Sequence, residues 1–210
     1  MDEAEARARL DVPRETLERL EAFVDLLGQE NERQNLVSRA SLDKVWSRHI
    51  LDSAQLLRFA PREAGTWLDL GAGAGFPGLV IAAIAPLKAT LVEARKLRAD
   101  FLRRAAEQMG ITDRVEILRA KAEAIAPRPF DAISARAFAP LERLLAIGGR
   151  FSTNKTIWIL PKGRNAKTEL EAARRSWQGD FRLEPSLTDA DARIVVATGV
   201  RPSKRGKGAR

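Results

Sequence analysis

Between Arg14 and Arg33 apolar residues recur at Leu17, Leu20, Val24 and Leu27, with Phe23 and Leu26 widening the stripe. Steps of three and four predict an amphipathic helix with one face to bury. Met1 to Val12 is a charged, alanine-rich lead-in, helical or frayed, closed by Pro13. After the polar exit Asn31-Glu32-Arg33-Gln34-Asn35, Ser41 reads as the N-cap of a second helix from Leu42 to about Phe59. Its stripe is Leu42, Val45, Trp46, Ile50, Ser53 and Leu57, which leaves Arg48, His49 and Asp52 on neighbouring faces. Two helices cannot bury both faces alone. Residues 1–62 are therefore read as a helical extension that docks on the remainder of the chain.

From Thr66 the pattern changes to short apolar runs separated by helical stretches. Strands are predicted at Thr66–Leu70, Ala89–Glu93, Val115–Leu118, Phe130–Ser134 and Thr156–Leu160. Helices are predicted after the glycines at 71–78, from Arg95 to Met109 with Gly110 as its stop, from Pro140 to Ile147, and from Lys167 to Trp177; Arg119–Ile125 reads as a loop entering a helix. Phe181–Leu187 and Ala192–Thr198 form a terminal antiparallel pair. This alternation implies an α/β fold: a Rossmann-like, mostly parallel, doubly wound sheet with an antiparallel C-terminal strand, spanning residues 63–200. Residues 201–210, ending Lys204-Arg205-Gly206-Lys207-Gly208-Ala209-Arg210, read as a basic flexible tail.

One stretch organises the rest. In Trp67-Leu68-Asp69-Leu70-Gly71-Ala72-Gly73-Ala74-Gly75-Phe76-Pro77-Gly78 a buried strand runs into a glycine-rich turn and a helix start, with Asp69 at the polar mouth. Such a turn is a concave site where a ligand touches backbone, or simply a tight strand-to-helix connection. Its glycines run G-x-G-x-G-x-x-G and so depart from the dinucleotide fingerprint G-x-G-x-x-G. Glu93 closes the next strand about 20 residues on, where a doubly wound fold places an acid to accept the ribose hydroxyls. Its competing reading is a helix-capping carboxylate. Together the two features indicate an adenosine-containing cofactor. A nicotinamide dinucleotide needs its pyrophosphate held on the helix N-terminus, whereas S-adenosylmethionine has none. The D-L-G-x-G-x-G form with its acid resembles a class I S-adenosylmethionine-dependent methyltransferase.

Composition narrows the classes. With 45% hydrophobic and 30% charged residues in 210, the chain has enough apolar material for a packed core, and no run is long enough to span a bilayer. No secretory leader is visible, and a cytoplasmic protein is expected. Zero cysteines exclude disulfides, thiol nucleophiles and cysteine zinc sites, and one histidine without clustered carboxylates leaves no metal pattern. The net charge of +8 suits a polyanionic partner, unless it reflects only a chain rich in Arg and Ala throughout.

An open parallel sheet places its site outside the carboxyl ends of the strands. Those ends supply Asp69 with the Gly71 loop, Glu93, Ala122-Glu123, Arg136 and Pro161-Lys162-Gly163. Each has a plainer reading: Asp69 as a loop cap, Glu123 as a first-turn acid, Arg136 as a structural ion-pair partner, Lys162 as surface charge. His49 reads as a packed helix residue rather than a general base. No nucleophile–base pair is present, which fits alkyl transfer, where alignment and electrostatics matter more than proton movement.

Taken together the motifs resemble the ribosomal RNA small subunit methyltransferase G family, also called glucose-inhibited division protein B. The matching stretches are Asn35-Leu36-Val37-Ser38, Arg48-His49-Ile50-Leu51-Asp52-Ser53, Asp69 through Gly78, Glu93 with Phe101-Leu102, Ser134-Ala135-Arg136-Ala137-Phe138-Ala139, and Pro161-Lys162-Gly163. The sequence departs from the family at Arg95 and Leu97, on the helix after Glu93. The resemblance implies methylation of guanine N7 in the 530-loop of 16S ribosomal RNA, naked or in a precursor small subunit, using S-adenosylmethionine; one site per chain suits a monomer. It places Gly71 and Phe76 at the cofactor's methionine and adenosine side, Glu93 at its ribose, and Ala122 and Glu123 at its adenine, with Asp69 and Gly73 also counted as cofactor-binding. Arg136 would close that pocket near the reacting centre, and Arg136 or Lys162 would fix the guanine. Asn35, Arg48, His49 and Lys162 would lie toward the RNA. Two alternatives stand beside it: a class I methyltransferase acting on another RNA, a protein or a small molecule, and a non-catalytic RNA-binding protein.

Overall fold

Alternate residues of the central strands face opposite ways, and that alternation builds the two layers. The computed structural model describes residues 1–203; the basic run 204–210 lies outside them. Seven strands form one sheet: β1 (Thr66–Leu70), β2 (Lys88–Val92), β3 (Val115–Leu118), β4 (Ala132–Ser134), β5 (Ile157–Lys162), β6 (Trp177–Pro185) and β7 (Arg193–Pro202), in the order β3-β2-β1-β4-β5-β7-β6. The first five run parallel; β7 inserts antiparallel between β5 and β6. Trp67, Ala89, Leu91, Ile157 and Ile159 face one apolar cluster, whereas Leu68, Leu70, Val92, Trp158 and Leu160 face the other. Burial on both faces is why these strands read as continuous apolar runs. The chain shows the Rossmann-like architecture expected from its pattern.

On the first face lie α5 (Gly78–Ile84), α6 (Lys96–Gln108) and, outside them, α2 (Arg14–Gln34). The stripe of α2 is buried at Leu20, Phe23, Leu26 and Leu27, and its Glu30 pairs with Arg104 of α6 at 2.7 Å. Asn35 ends the helix in the left-handed conformation, φ 43°, the C-cap geometry asparagine tolerates. The opposite face carries α7 (Leu141–Gly148) and α8 (Ala166–Ala173).

Four expectations need correction. The predicted helix from Leu42 to Phe59 is broken. Ser38, not Ser41, caps a short α3 (Arg39–Leu42), its hydroxyl accepting from the Ser41 N–H. The chain then restarts as a π-helical turn over Trp46–Leu51, followed by α4 (Asp52–Ala54) and a 3₁₀ turn over Gln55–Phe59. Glu3 of α1 (Glu3–Ala8) causes the restart: its carboxylate accepts from the N–H groups of Trp46 and Ser47 at 2.8 and 3.0 Å, capping that turn from another helix. Second, the segment after β3 makes only a 3₁₀ turn at Ala122–Ala124. Third, α8 stops at Ala173 and Trp177 opens β6. Fourth, β7 runs to Pro202, so Arg201 and Pro202 belong to the sheet and not to a tail.

Candidate active site

The glycine loop leaves β1 with Gly71, Gly73 and Gly75 all at positive φ, 72°, 55° and 93°. Those angles are why glycine recurs at every second position. Gly71 and Ala72 both donate to the Val92 carbonyl, at 2.9 and 3.0 Å, so the loop is hung from the end of β2. A Cβ on Gly78 would sit 2.8 Å from an Asp69 carboxylate oxygen, which explains glycine at the start of α5.

Asp69 is fully buried beneath the loop. One oxygen accepts from Ser134 Oγ at 2.8 Å and the other from the Gly78 N–H at 3.0 Å; Ser134 Oγ in turn accepts from Trp67 Nε1. Burial raises its pKa to about 6, against the opposing pull of the Ser134 and Gly78 hydrogen bonds and Arg136. It therefore ties β1, β4 and α5 together from below and shows no free face to a ligand. A raised acid contributes stability that is complete below its unfolded value near 3.8 and is lost as pH climbs through about 6. The shift of about two units corresponds to about 3 kcal/mol. Denaturant unfolding of wild type and Asp69→Asn should show the variant gaining on wild type by about that amount between about pH 3 and pH 7.5. A stability difference constant over that range would dismiss the strained carboxylate.

Glu93 follows β2 and is buried, with one oxygen accepting from the Gly73 N–H at 3.0 Å and the other from the Arg95 N–H at 2.7 Å. One lone pair on each oxygen remains to accept a hydroxyl. Gly73 sits beside it, and a methyl there would meet nothing nearer than 3.7 Å. An acceptor-only carboxylate beside a backbone cradle fits the ribose of an adenosine cofactor. Ala122 is buried beyond β3, and Glu123 exposes its side chain while its carbonyl accepts from Arg150 at 2.8 Å. Phe76 departs from its expected place as a lining residue. It is 2% exposed, packed against Phe23 at 5.3 Å between centroids, His49 at 4.7 Å and the Arg136 guanidinium at 5.0 Å.

Beside the loop, at the ends of β4 and β5, a cavity of about 650 Å³ is walled by residues 41–52 on one side and by the β6–β7 turn on the other. Arg48, His49, Asp52, Arg136, Phe138, Lys162, Asp189 and Arg193 line it. Arg136 pairs with Asp52 at 3.6 Å; burial lowers its pKa while Asp52 and Asp69 push it back up. Asp52 also accepts from Thr188 at 2.6 Å and Gln55 at 2.8 Å, and Arg48 reaches Asp189 at 3.2 Å. His49 stacks on Phe76 at 15° between planes, and among the described residues neither ring nitrogen has a hydrogen-bond partner. Its pKa is lowered to about 3 by burial, then by Arg136 and Arg48, so the imidazole is neutral. Lys162 is less available than its expected role requires. Its ammonium donates to the Ala139 carbonyl and to Glu169, both at 2.9 Å, and Glu169 also accepts from the Leu141 N–H. Asn35 is exposed at the end of α2 and does not line the cavity.

Four participants escaped the sequence reading. Asp52 and Phe138 lie inside the Arg48–Ser53 and Ser134–Ala139 motifs, and the signal for Phe138 is an aromatic four residues past a strand end. Thr188 and Asp189 had none, because their partners are over 130 residues away.

A family model described as rRNA small subunit methyltransferase G matches residues 16–191. Proteins named ribosomal RNA small subunit methyltransferase G are similar to this chain in Rhizorhabdus wittichii, 51% identical over 99% of this chain and 97% of that protein, and in Zymomonas mobilis, 49% identical over 95% and 93%. Among solved structures, an O-methyltransferase from Bacillus cereus in complex with SAH superposes with a TM-score of 0.57 at 16% identity, covering 84% of this chain and 90% of that one. A ribosomal protein L11 methylase from Lactobacillus delbrueckii gives 0.58 at 16%, covering 74% and 79%. Those two likenesses concern the fold alone.

Proposed function

The chain belongs to the rRNA small subunit methyltransferase G family, and on that premise we propose that it methylates N7 of a guanine in the 530-loop of 16S ribosomal RNA. It is a methyltransferase whose cofactor is S-adenosylmethionine and whose substrate is ribosomal RNA. Glu93 would hold the ribose hydroxyls, the Gly71–Gly73 backbone the methionine end, and Ala122 with Glu123 the adenine edge. Bound S-adenosylmethionine would supply an electrophilic methyl on a sulfonium, with sulfur as the leaving group. No proton moves.

The observation that carries this reading is the lack of a poised base in the cavity among the described residues. His49 is neutral with a pKa near 3, and Asp52, Asp189 and Glu169 are each engaged by cations or hydrogen-bond donors. Methylating an exocyclic amine or a ribose hydroxyl releases a proton and needs an acceptor. Guanine N7 is already a bare lone pair. Arg136 is the donor for guanine O6, which fixes the base without occupying the N7 lone pair. Lys162, through Ala139 and Glu169, braces the loop that carries Arg136. Arg48 supplies charge at the rim for the phosphate backbone. No helix among the described residues is long and apolar enough to cross a membrane, and no group of described His, Asp or Glu residues is arranged to hold a metal. A cytoplasmic monomer acting on the small subunit or its RNA completes the proposal.

Labelled methyl transfer into small-subunit RNA, followed by nuclease digestion and mass spectrometry, should yield 7-methylguanosine. In single turnover the rate should show no limb near pH 6.5, the free histidine value. His49→Ala should cost about 3- to 10-fold, the worth of one aromatic contact, at every pH. A ribose or exocyclic methyl product, or a limb that disappears in His49→Ala, would overturn the mechanism.

A further inference from the structure

We propose that Phe138 is the platform on which the target guanine stacks. The inference rests on the substrate reading above and adds to it the surface that orients the base. Phe138 lines the cavity and at the same time lies on the glycine loop: a methyl built on Gly71 would stand 2.3 Å from its Cδ2. It thus touches the cofactor side and the substrate side together. Among the residues lining the cavity the other aromatic ring is His49, and one face of that ring is covered by Phe76. Phe138 is only half-buried, beside Arg136 in a wall otherwise rich in charge.

The backbone is held to present this ring. Ala137 before it adopts φ 52°, a left-handed conformation that a residue with a Cβ takes only under constraint. The constraint is visible on the far side, where Lys162 grips the Ala139 carbonyl and Glu169 grips the Leu141 N–H. The ring packs against the second apolar cluster and still lines the cavity. An unpaired RNA base withdrawn from its loop needs a stacking surface. The N7 lone pair lies in the purine plane, so a ring that fixes the plane fixes the line along which the methyl must arrive.

Phe138→Leu keeps apolar volume and removes the π face; Phe138→Tyr keeps both. The test measures cofactor affinity by calorimetry, single-turnover methylation of small-subunit RNA, and quenching of a fluorescent guanine analogue placed at the methylated position. Phe138→Leu should lose about 10- to 100-fold in methylation, the range of one stacked base. It should abolish the quench and leave cofactor affinity within about 3-fold, while Phe138→Tyr tracks wild type. Equal rates and equal quenching in the two variants would overturn the proposal and leave Phe138 as packing. A parallel fall in cofactor affinity would assign the ring to the cofactor instead. If the wild-type enzyme methylates no guanine in this RNA, the substrate reading fails first, and the control shows it without reference to either variant.

Discussion

Gly71→Ala should bind no S-adenosylmethionine at concentrations about 100-fold above the wild-type Kd, a loss of more than about 2.7 kcal/mol. Two effects add. At φ 72° a Cβ costs about 1–2 kcal/mol of backbone strain. The methyl would also stand 2.3 Å from Phe138, and neither side can yield cheaply. Gly71 is tied to Val92 by its N–H at 2.9 Å, and the Phe138 loop is held by Lys162 and Glu169. Gly73→Ala is the internal control. Its φ is also positive, at 55°, but the nearest atoms to an added methyl stand at 3.7 and 3.8 Å. It should lose only about 5- to 30-fold, the strain contribution alone. Calorimetry on the two variants decides: equal affinities would remove the steric clash from the account.

Arg136→Met should lower the single-turnover rate by about 10²-fold, the cost of misplacing a base that must be held in line with the methyl. Methionine keeps the length of the side chain and loses the charge and the N–H groups. The wall should survive, because Asp52 retains Thr188 and Gln55 as donors. Cofactor affinity should fall less than about 10-fold, since the contacts expected to hold the ribose and methionine end come from other residues. A rate loss below 10-fold with a lowered Tm would make Arg136 the structural partner of Asp52 and nothing more.

What was legible in the sequence was whatever depends on neighbours in sequence. The glycine spacing, the acid ending β2 and the alternating apolar runs all report local geometry, and each led to the right element. The helix from Leu42 to Phe59 failed for the opposite reason. Its stripe was genuine, but the cap that restarts it at Trp46 is Glu3, 43 residues earlier. Lys162 and Phe76 show the same limit within the site. A lysine after a proline at a strand end looks free until Glu169 and the Ala139 carbonyl are seen beside it. Phe76 in a glycine loop looks like a lining residue until Phe23 and His49 close over it. Partners on other elements decided both.

The cavity's two facing walls come from parts of the chain that are made at different times. Arg48, Asp52 and Gln55 meet Ser186, Thr188 and Asp189, which come 131 to 141 residues later. The glycine loop and Glu93, by contrast, lie within the first half of the polypeptide. During translation the glycine loop and Glu93 therefore emerge well before the wall that faces Arg48 and Asp52. The proposed substrate cleft can close only after the chain has been made as far as Asp189.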